Sequence, residues 1–311
     1  MILHVKEMID LVTVLGHTAA GKTAFAAHLA HRLKGEIISA DSRQVYRGMD
    51  IGTGKDYKDY LVQDHRILTH LIDIVDAGYE YNVYLFKRDF LRVFTDISER
   101  GLMPVLCGGT GLYIESVLRN YKLLNVPLNN SLREELERMS YEELVETLKL
   151  HGPLHNITDT GNRKRLIRGI EIARHQSAQP EVTDEGRELR PLVFGIRFDR
   201  DIRRERITKR LRDRMEEGMV EEVEGLLSRG VGADKLDYYG LEYRFVCKYI
   251  QEELSYEEMF HKLNTAIHQF AKRQMTYFRG MERRGIPIYW LDGELPMEEK
   301  IKQAVARFKL T

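Results

Sequence analysis

The sequence predicts an α/β protein in which helices flank a parallel β-sheet and a mostly helical segment is inserted. Short apolar runs alternate with longer amphipathic segments, which is the pattern of a doubly wound sheet. The first apolar run, residues 11–15, leads into a glycine-containing turn, and residues 24–33 after it are rich in Ala and Leu without Gly or Pro. Between about residues 121 and 189 the alternation stops and only helical stretches follow.

The turn after the first predicted strand fits the phosphate-loop pattern GxxxxGK[ST]. Its members are Gly16, His17, Thr18, Ala19, Ala20, Gly21, Lys22 and Thr23. A strand before it and a helix after it aim backbone N–H groups and the positive end of a helix dipole at an anion. Lys22 would add a positive charge, and Thr23 a hydroxyl for Mg²⁺. This pattern predicts a P-loop NTPase-like fold and indicates nucleotide or ATP binding, but leaves open whether the phosphate is transferred or expelled.

Two more predicted strands, residues 36–39 and 103–107, run into polar or glycine-rich turns. Ligands of open α/β sheets bind beyond the carboxyl ends of strands, so Asp41 and Ser42 are expected beside the phosphate loop. Asp41 is a candidate base or metal partner, with capping of the next segment as an equal alternative. The glycines of the turn 108–111 allow close backbone approach to a ligand and place the Thr110 hydroxyl at the same edge.

The remaining elements follow from the spacing of apolar residues. Residues 67–75 are either a strand whose terminal Asp73 or Asp76 assists Mg²⁺ or, as we favour, a plain core strand. Helices are expected over 83–100, 132–150, 166–173, 199–217, 255–280 and 297–308, and strands over 192–198 and 287–291. The division this implies is a catalytic domain of residues 1–120 and 190–311 with a helical insertion at 121–189.

The predicted helix 199–217 is dense in arginine. Arg206, Arg210 and Arg214 recur every four residues beside an apolar stripe, so they either meet phosphates or form a solvated face. Residues 161–215 contain sixteen Lys/Arg against nine Asp/Glu, which indicates a polyanionic partner.

Composition narrows the class of protein. Lys+Arg and Asp+Glu both number 48 in 311 residues, and the two cysteines argue against a disulfide scaffold. No run approaches the ~18 apolar residues of a membrane helix. We therefore expect a cytoplasmic protein with no membrane association.

Five segments together resemble the bacterial tRNA dimethylallyltransferases, also called tRNA isopentenyltransferases. After the phosphate loop come ISADSRQVYRGMDIGTGK, PVLCGGTGLYIES, GNRKRLIRGIEI, RERITKRLRDRMEEGMVEEV and AIHQFAKRQMTYFRG, in the order of that family. The resemblance covers nearly the whole chain, and the first of these five segments is far more specific than a phosphate loop alone.

The resemblance implies an enzyme that transfers a dimethylallyl group from its diphosphate to N6 of the adenosine 3′ of the anticodon. Residues 16–23 would bind dimethylallyl diphosphate, with Mg²⁺ on Thr23. Asp41, Thr110 and Arg210 match the catalytic positions. The residues expected to contact the tRNA anticodon stem-loop are Asp41, Ser42, Arg43, Gln44, Lys164, Arg165, Leu166, Ile167, Arg168 and Arg244. The helical insertion would contact the same stem-loop, and we expect a monomer.

The segment 235–244 departs from the common bacterial pattern, because Asp237 and Glu242 stand where arginines are expected. Three rival functions remain open at this point, one of which is a non-enzymatic phosphate-loop regulator that binds RNA; it would tolerate loss of the Asp41 carboxylate. A phosphate-loop small-molecule kinase would need a γ-phosphate and no basic insertion. An adenylate isopentenyltransferase would accept free AMP or ADP, for which the basic stretch 161–215 is superfluous.

Overall fold

The computed structural model describes residues 9–150, 162–178 and 188–310 of the chain. The chain divides into two compact units: the larger comprises Met1–Asn120 and Glu188–Thr311, and the smaller comprises Tyr121–Arg187. Within the described ranges no helix is long and apolar enough to cross a lipid bilayer.

The larger unit is organised around a six-stranded sheet whose strands all run parallel. In chain order the strands are β1 (Leu11–Gly16), β2 (Gly35–Ser39), β3 (Leu61–Val62), β4 (His65–Arg66), β5 (Thr69–His70), β6 (Met103–Gly108), β7 (Pro191–Arg197) and β8 (Tyr289–Asp292). β3 and β4 form a separate antiparallel hairpin, and the others lie in the order β5-β2-β6-β1-β7-β8. Leu15 lies opposite Gly108 on one side and Gly195 on the other, so the phosphate loop starts in the middle of the sheet. The predicted fold class is confirmed.

Helices follow most strands. In the described residues they are α1 (Lys22–Leu33), α2 (Val83–Glu99), α3 (Gly111–Leu118), α4 (Asn130–Glu137), α5 (Tyr141–Lys149), α6 (Arg163–Ala178), α7 (Arg200–Glu216), α8 (Met219–Ser228), α9 (Ala233–Tyr239), α10 (Leu241–Ile250), α11 (Tyr256–Arg283) and α12 (Met297–Leu310). The 28-residue α11 begins with a capping box in which the side chains of Ser255 and Glu258 each accept a backbone N–H of the other.

The strands bury both of their faces, as the continuous apolar run of β1 predicts. Leu11 and Leu15 point into one core, which also contains Phe278 of α11. Val12 and Val14 point into the other, which contains residues of α1 and α12. The sheet is therefore covered on both sides, and the phosphate loop follows β1 at its carboxyl edge.

Two expectations need correction. Of the predicted strand 67–75, only Thr69–His70 pairs with β2, because Leu71 and Asp73 both adopt positive φ and end the ladder. The predicted helix 132–150 is two helices, α4 and α5, since Ser140 starts a new helix through a capping box with Glu143.

The smaller unit has a core of its own. The buried residues are Leu132, Leu136, Leu144, Leu166, Ile167 and Ile170. The nearly inaccessible Glu171 carboxylate accepts hydrogen bonds from Arg133 and Arg168. Burial opposes its ionisation, but these bonds hold the pKa of Glu171 well below its usual value.

Two of the residues predicted to contact RNA, Leu166 and Ile167, are buried, and the prediction is corrected for these two. Both side chains turn into the core, because α6 needs an apolar face against α5. They cannot contact RNA through their side chains. Lys164 and Arg165 on the same helix are exposed, and Arg168 is half-buried.

Candidate active site

The phosphate loop joins β1 to the first turn of α1. Gly21 occupies the helix N-cap with φ 72°, a left-handed conformation that favours glycine. No side chain of the N-cap residue caps this helix start, and Lys22 and Thr23 of its first turn line a cavity. The ammonium of Lys22 donates to the carbonyl oxygen of His17 at 2.8 Å. The loop is thus folded around its own lysine.

The ammonium of Lys22 is buried within electrostatic range of a second positive charge, an environment that an anion would stabilise. Burial lowers the pKa of Lys22 to about 8, and the positive charge of Arg210 acts in the same direction. A bound diphosphate would favour the charged ammonium and raise this pKa again.

Asp41 and Thr110 follow β2 and β6, which are neighbours in the sheet. Thr110 Oγ1 accepts the backbone N–H of Ser42 at 3.1 Å, which joins the two turns. Asp41 Oδ1 accepts the N–H of Arg43 at 2.9 Å. Within the described residues Asp41 Oδ2 makes no hydrogen bond, so Asp41 caps its turn with one oxygen while the other is left without a protein partner.

Two members of the predicted arginine row of α7, Arg210 and Arg214, line the site, whereas Arg206 is exposed. Arg206 Nε donates to the Ala19 carbonyl at 3.1 Å and so ties α7 to the phosphate loop. Arg210 pairs with Asp56 at 2.5 Å, and the buried Arg214 pairs with Glu242 at 3.4 Å. Arg210 and Arg214 therefore do not belong to a solvated face, and the contact of this row with phosphate stays a prediction.

A half-buried carboxylate that the sequence does not reveal fixes the loop beside Arg210. Glu222 of α8 accepts the N–H groups of Asp50, Ile51 and Gly52 at 2.8, 2.8 and 3.0 Å. The buried ammonium of Lys55 donates to Asp50 at 2.8 Å and also pairs with Asp73. The partner of the Asp73 carboxylate is therefore the Lys55 ammonium, and not the Mg²⁺ ion that the sequence offers as one alternative.

Gln274 is a second residue that sequence reasoning missed. Its Oε1 accepts the Thr18 N–H at 2.8 Å, and its Nε2 donates to the Gly109 carbonyl at 3.0 Å. A Cβ on residue 109 would lie 2.6 Å from Nε2, so only glycine leaves room for this contact. One side chain of α11 thus links the phosphate loop to the turn that carries Thr110.

His17 stands within the phosphate loop, fully buried against Phe198. Its Nδ1 lies 2.6 Å from the Thr18 carbonyl, so this nitrogen carries the proton. Burial lowers the pKa of His17 to about 4, which leaves the imidazole neutral at pH 7. It therefore shapes the loop and adds no charge to it.

These elements enclose one cavity of about 360 Å³. The charged residues of its lining are Lys22, Arg43, Arg210, Arg214, Arg244 and Arg273 against Asp41, Asp237 and Glu242. Aromatic and apolar side chains complete the wall: Tyr60, Cys107, Tyr239, Leu241, Ile267 and Phe270. The cavity suits a ligand with an anionic end and an apolar end.

The residues predicted to meet RNA in the larger unit also line this cavity. They are Asp41, Ser42, Arg43, Gln44 and Arg244. The Arg43 guanidinium lies over the ring of Tyr238 at 4.9 Å. Asp237 accepts from Arg244 at 3.1 Å, whereas Glu242 is turned towards Arg214. The two acidic residues that depart from the common bacterial pattern, Asp237 and Glu242, are thus each paired with a neighbouring arginine.

The phosphate loop carries Lys22 and lies beside the Asp41 carboxylate, one oxygen of which makes no hydrogen bond in the described residues. This combination indicates a phosphate-loop enzyme. Comparison with known families narrows this class. The family model described as IPP transferase matches residues 44–281, and the chain belongs to this family.

Relatives match over almost their full lengths. The chain is 54% identical to tRNA dimethylallyltransferase 2 of Bacteroides fragilis, over 96% of this chain and 98% of that protein. It is 56% identical to tRNA dimethylallyltransferase 1 of Parabacteroides distasonis, over 94% and 95%.

Solved structures agree with this membership. The tRNA isopentenylpyrophosphate transferase of Bacillus halodurans superposes with a TM-score of 0.70 at 32% identity, covering 96% of both chains. A eukaryotic dimethylallyltransferase acting on tRNA shares the fold with a TM-score of 0.72 at 21% identity, over 96% of this chain and 77% of that one.

Proposed function

We propose that this protein transfers the dimethylallyl group of dimethylallyl diphosphate to N6 of the adenosine 3′-adjacent to the anticodon of tRNA. The observation that carries the proposal is the single cavity in which the phosphate loop, Asp41, Thr110 and Arg210 meet. Family membership and the names of the relatives support the same activity. All of these residues come from one chain, so a monomer suffices.

The donor lies with its diphosphate on the loop 16–23 and its hydrocarbon against the apolar wall. The N–H groups at the start of α1, together with Lys22 and Arg210, meet the negative charge that develops as the C1–O bond breaks. The Thr110 hydroxyl accepts the Ser42 N–H at 3.1 Å and donates to Ser42 Oγ over a long 3.4 Å; it would turn this proton to the diphosphate near the bridging oxygen.

Mg²⁺ fits this arrangement as a partner of the diphosphate. No group of three His, Cys, Asp or Glu side chains in the described residues forms a metal cage. Mg²⁺ is commonly bound by one or two protein oxygens together with phosphates and waters, and the Thr23 hydroxyl opens into the cavity. When bound, the ion would neutralise charge on the leaving diphosphate.

The acceptor adenine enters from the side of Asp41. As N6 attacks C1, the new C–N bond forms, the diphosphate leaves, and the N6 proton passes to the free carboxylate oxygen of Asp41. Ser42, Arg43 and Gln44 follow Asp41 directly and line the same cavity, which supports a contact with the extruded nucleotide.

The smaller unit and the segment 235–244 supply further contacts to the anticodon stem-loop. In α6 the exposed Lys164 and Arg165 and the half-buried Arg168 present positive charge on the surface. Arg244 is exposed at the cavity. Contacts of this kind to RNA phosphates weaken steeply with ionic strength.

The test is incubation of unmodified tRNA with radiolabelled dimethylallyl diphosphate and Mg²⁺. We expect label in the tRNA with wild-type protein and almost none with Asp41→Asn, which keeps the shape of the side chain. Parallel reactions contain AMP as acceptor, or ATP with small acceptors. Label in AMP alone, or ATP consumption without tRNA labelling, would overturn the proposal in favour of the rival functions.

A further inference from the structure

Arg210, which we assign to the diphosphate, already has an anionic partner. Its Nη2 lies 2.5 Å from Asp56 Oδ2, at the start of the 3₁₀ turn Tyr57–Tyr60. The two side chains are 27% and 32% exposed, so the pair is open to exchange with a ligand. A diphosphate on the loop 16–23 would compete with Asp56 for the same guanidinium.

The carboxylate of Asp56 has no role in its own turn. Asp56 is the N-cap residue of the turn, but its side chain makes no capping hydrogen bond. The turn is held by backbone, since Asp59 N–H donates to the Asp56 carbonyl at 2.9 Å. The preceding loop is fixed by Glu222 and Lys55. The negative charge of Asp56 therefore takes no part in capping its own turn and is paired with Arg210 instead.

Gly54 keeps the guanidinium of Arg210 within reach of both partners. A Cβ at Gly54 would lie 2.7 Å from Nη2 of Arg210 and still closer to Arg214, so both arginines rest on its backbone. The deeper pair, Arg214 with Glu242, is only 9% and 18% exposed. Of the two pairs, the one formed by Asp56 is the more accessible.

We propose that Asp56 is an exchangeable counter-ion of Arg210, an inference that rests on the function proposed above. In the free enzyme Asp56 occupies Arg210; the diphosphate takes its place, and Asp56 recovers the arginine when the diphosphate product leaves. Asp56 therefore lowers the affinity of the site for diphosphate and speeds product release. It is a positioning residue that does not touch the reacting atoms.

The experiment is calorimetric titration of the full chain with inorganic pyrophosphate and Mg²⁺, without tRNA. Asp56→Asn should tighten pyrophosphate binding about fivefold, the scale of a half-exposed ion pair. Asp59→Asn is the matched control, because Asp59 also lies within electrostatic range of Arg210 but, among the residues that the structure describes, forms no ion pair. It should change the affinity much less.

A double-mutant comparison separates exchange from a general charge effect. In an Arg210→Gln background, Asp56→Asn should no longer tighten pyrophosphate binding. Equal tightening in both backgrounds would overturn the inference. So would weaker or unchanged binding by Asp56→Asn, since a residue that only orients Arg210 would cost affinity when neutralised.

The same proteins distinguish failure of this inference from failure of the proposed function. Transfer to tRNA by the wild type, with unchanged pyrophosphate affinity in Asp56→Asn, would overturn the exchange alone. Tighter pyrophosphate binding without any transfer by the wild type would support the exchange and overturn the function. In the active enzyme, Asp56→Asn should also slow pyrophosphate release, measured in a single-turnover chase.

Discussion

Substitution of Gln274 tests most strictly whether this side chain holds the phosphate loop and the Thr110 turn together. The orientation of its amide group is fixed by two contacts. The Thr18 N–H can only donate to the amide oxygen, and the Gly109 carbonyl can only accept from the amide nitrogen. Gln274→Glu keeps the shape of the side chain and the bond from Thr18. It replaces the donor that faces Gly109 with an oxygen, so two acceptors meet in a site where Gln274 is 8% exposed.

The cost follows from this geometry. An unpaired or opposed buried acceptor costs about 1–3 kcal/mol, so the free energy of unfolding should fall by roughly 2 kcal/mol at pH 8. The same misfit between the phosphate loop and the Thr110 turn should lower kcat/KM for the donor at least about tenfold. Gln269→Glu, exposed on the same helix, adds the same charge and should change neither quantity appreciably.

The pH dependence has a definite sign. In the Gln274→Glu variant the introduced carboxyl can donate to Gly109 when it is protonated, so the folded state favours protonation and raises the pKa of that carboxyl. The restored bond is therefore present at low pH and is lost as the pH rises through that folded pKa. Urea unfolding at pH 5 and pH 8 checks this. A variant that equals the wild type at both values, or is relatively less stable at pH 5, would refute the reasoning.

Three further outcomes are expected from other residues. Because burial lowers the pKa of Lys22 to about 8, pyrophosphate affinity should fall above pH 8, up to about tenfold per pH unit. The Lys22→Arg variant stays charged and should lack this fall in the same titration. Glu222→Ala leaves three loop N–H groups without their acceptor and should lower the free energy of unfolding by about 2–4 kcal/mol in urea melts, with Glu221→Ala on the same helix as a near-neutral control. Burial raises the pKa of Cys107 to about 12 and also raises that of Cys247, so neither thiol should react with iodoacetamide at pH 8 until guanidinium unfolds the protein.

Local sequence rules recovered the parts of the site that depend on local structure. The phosphate loop was predictable because strand, glycine-containing turn and helix are contiguous. Asp41 and Thr110 could be brought together because parallel strands end at one edge of a sheet. The side of α7 that carries Arg206, Arg210 and Arg214 followed from a four-residue period. Their assigned roles in catalysis and diphosphate binding stay predictions.

The rest depends on contacts between distant parts of the chain. Gln274 meets Thr18 across 256 positions, and Glu222 meets Asp50 across 172. On α11 and α8 these residues look like ordinary polar positions of amphipathic helices, since periodicity gives a face but not a partner. The same limit explains Asp73, whose pairing with Lys55 no strand pattern could show.

The central claim is that the loop 16–23 holds a diphosphate that is expelled when an RNA base is alkylated. The most direct measurement is the stoichiometry of the two products. Pyrophosphate release and N6-dimethylallyladenosine in digested tRNA, the latter by mass spectrometry, should appear in a one-to-one ratio. Both should vanish when the adenosine 3′ of the anticodon is replaced by guanosine. Pyrophosphate release that continues without that adenosine, or release of orthophosphate from ATP in its place, would contradict the account.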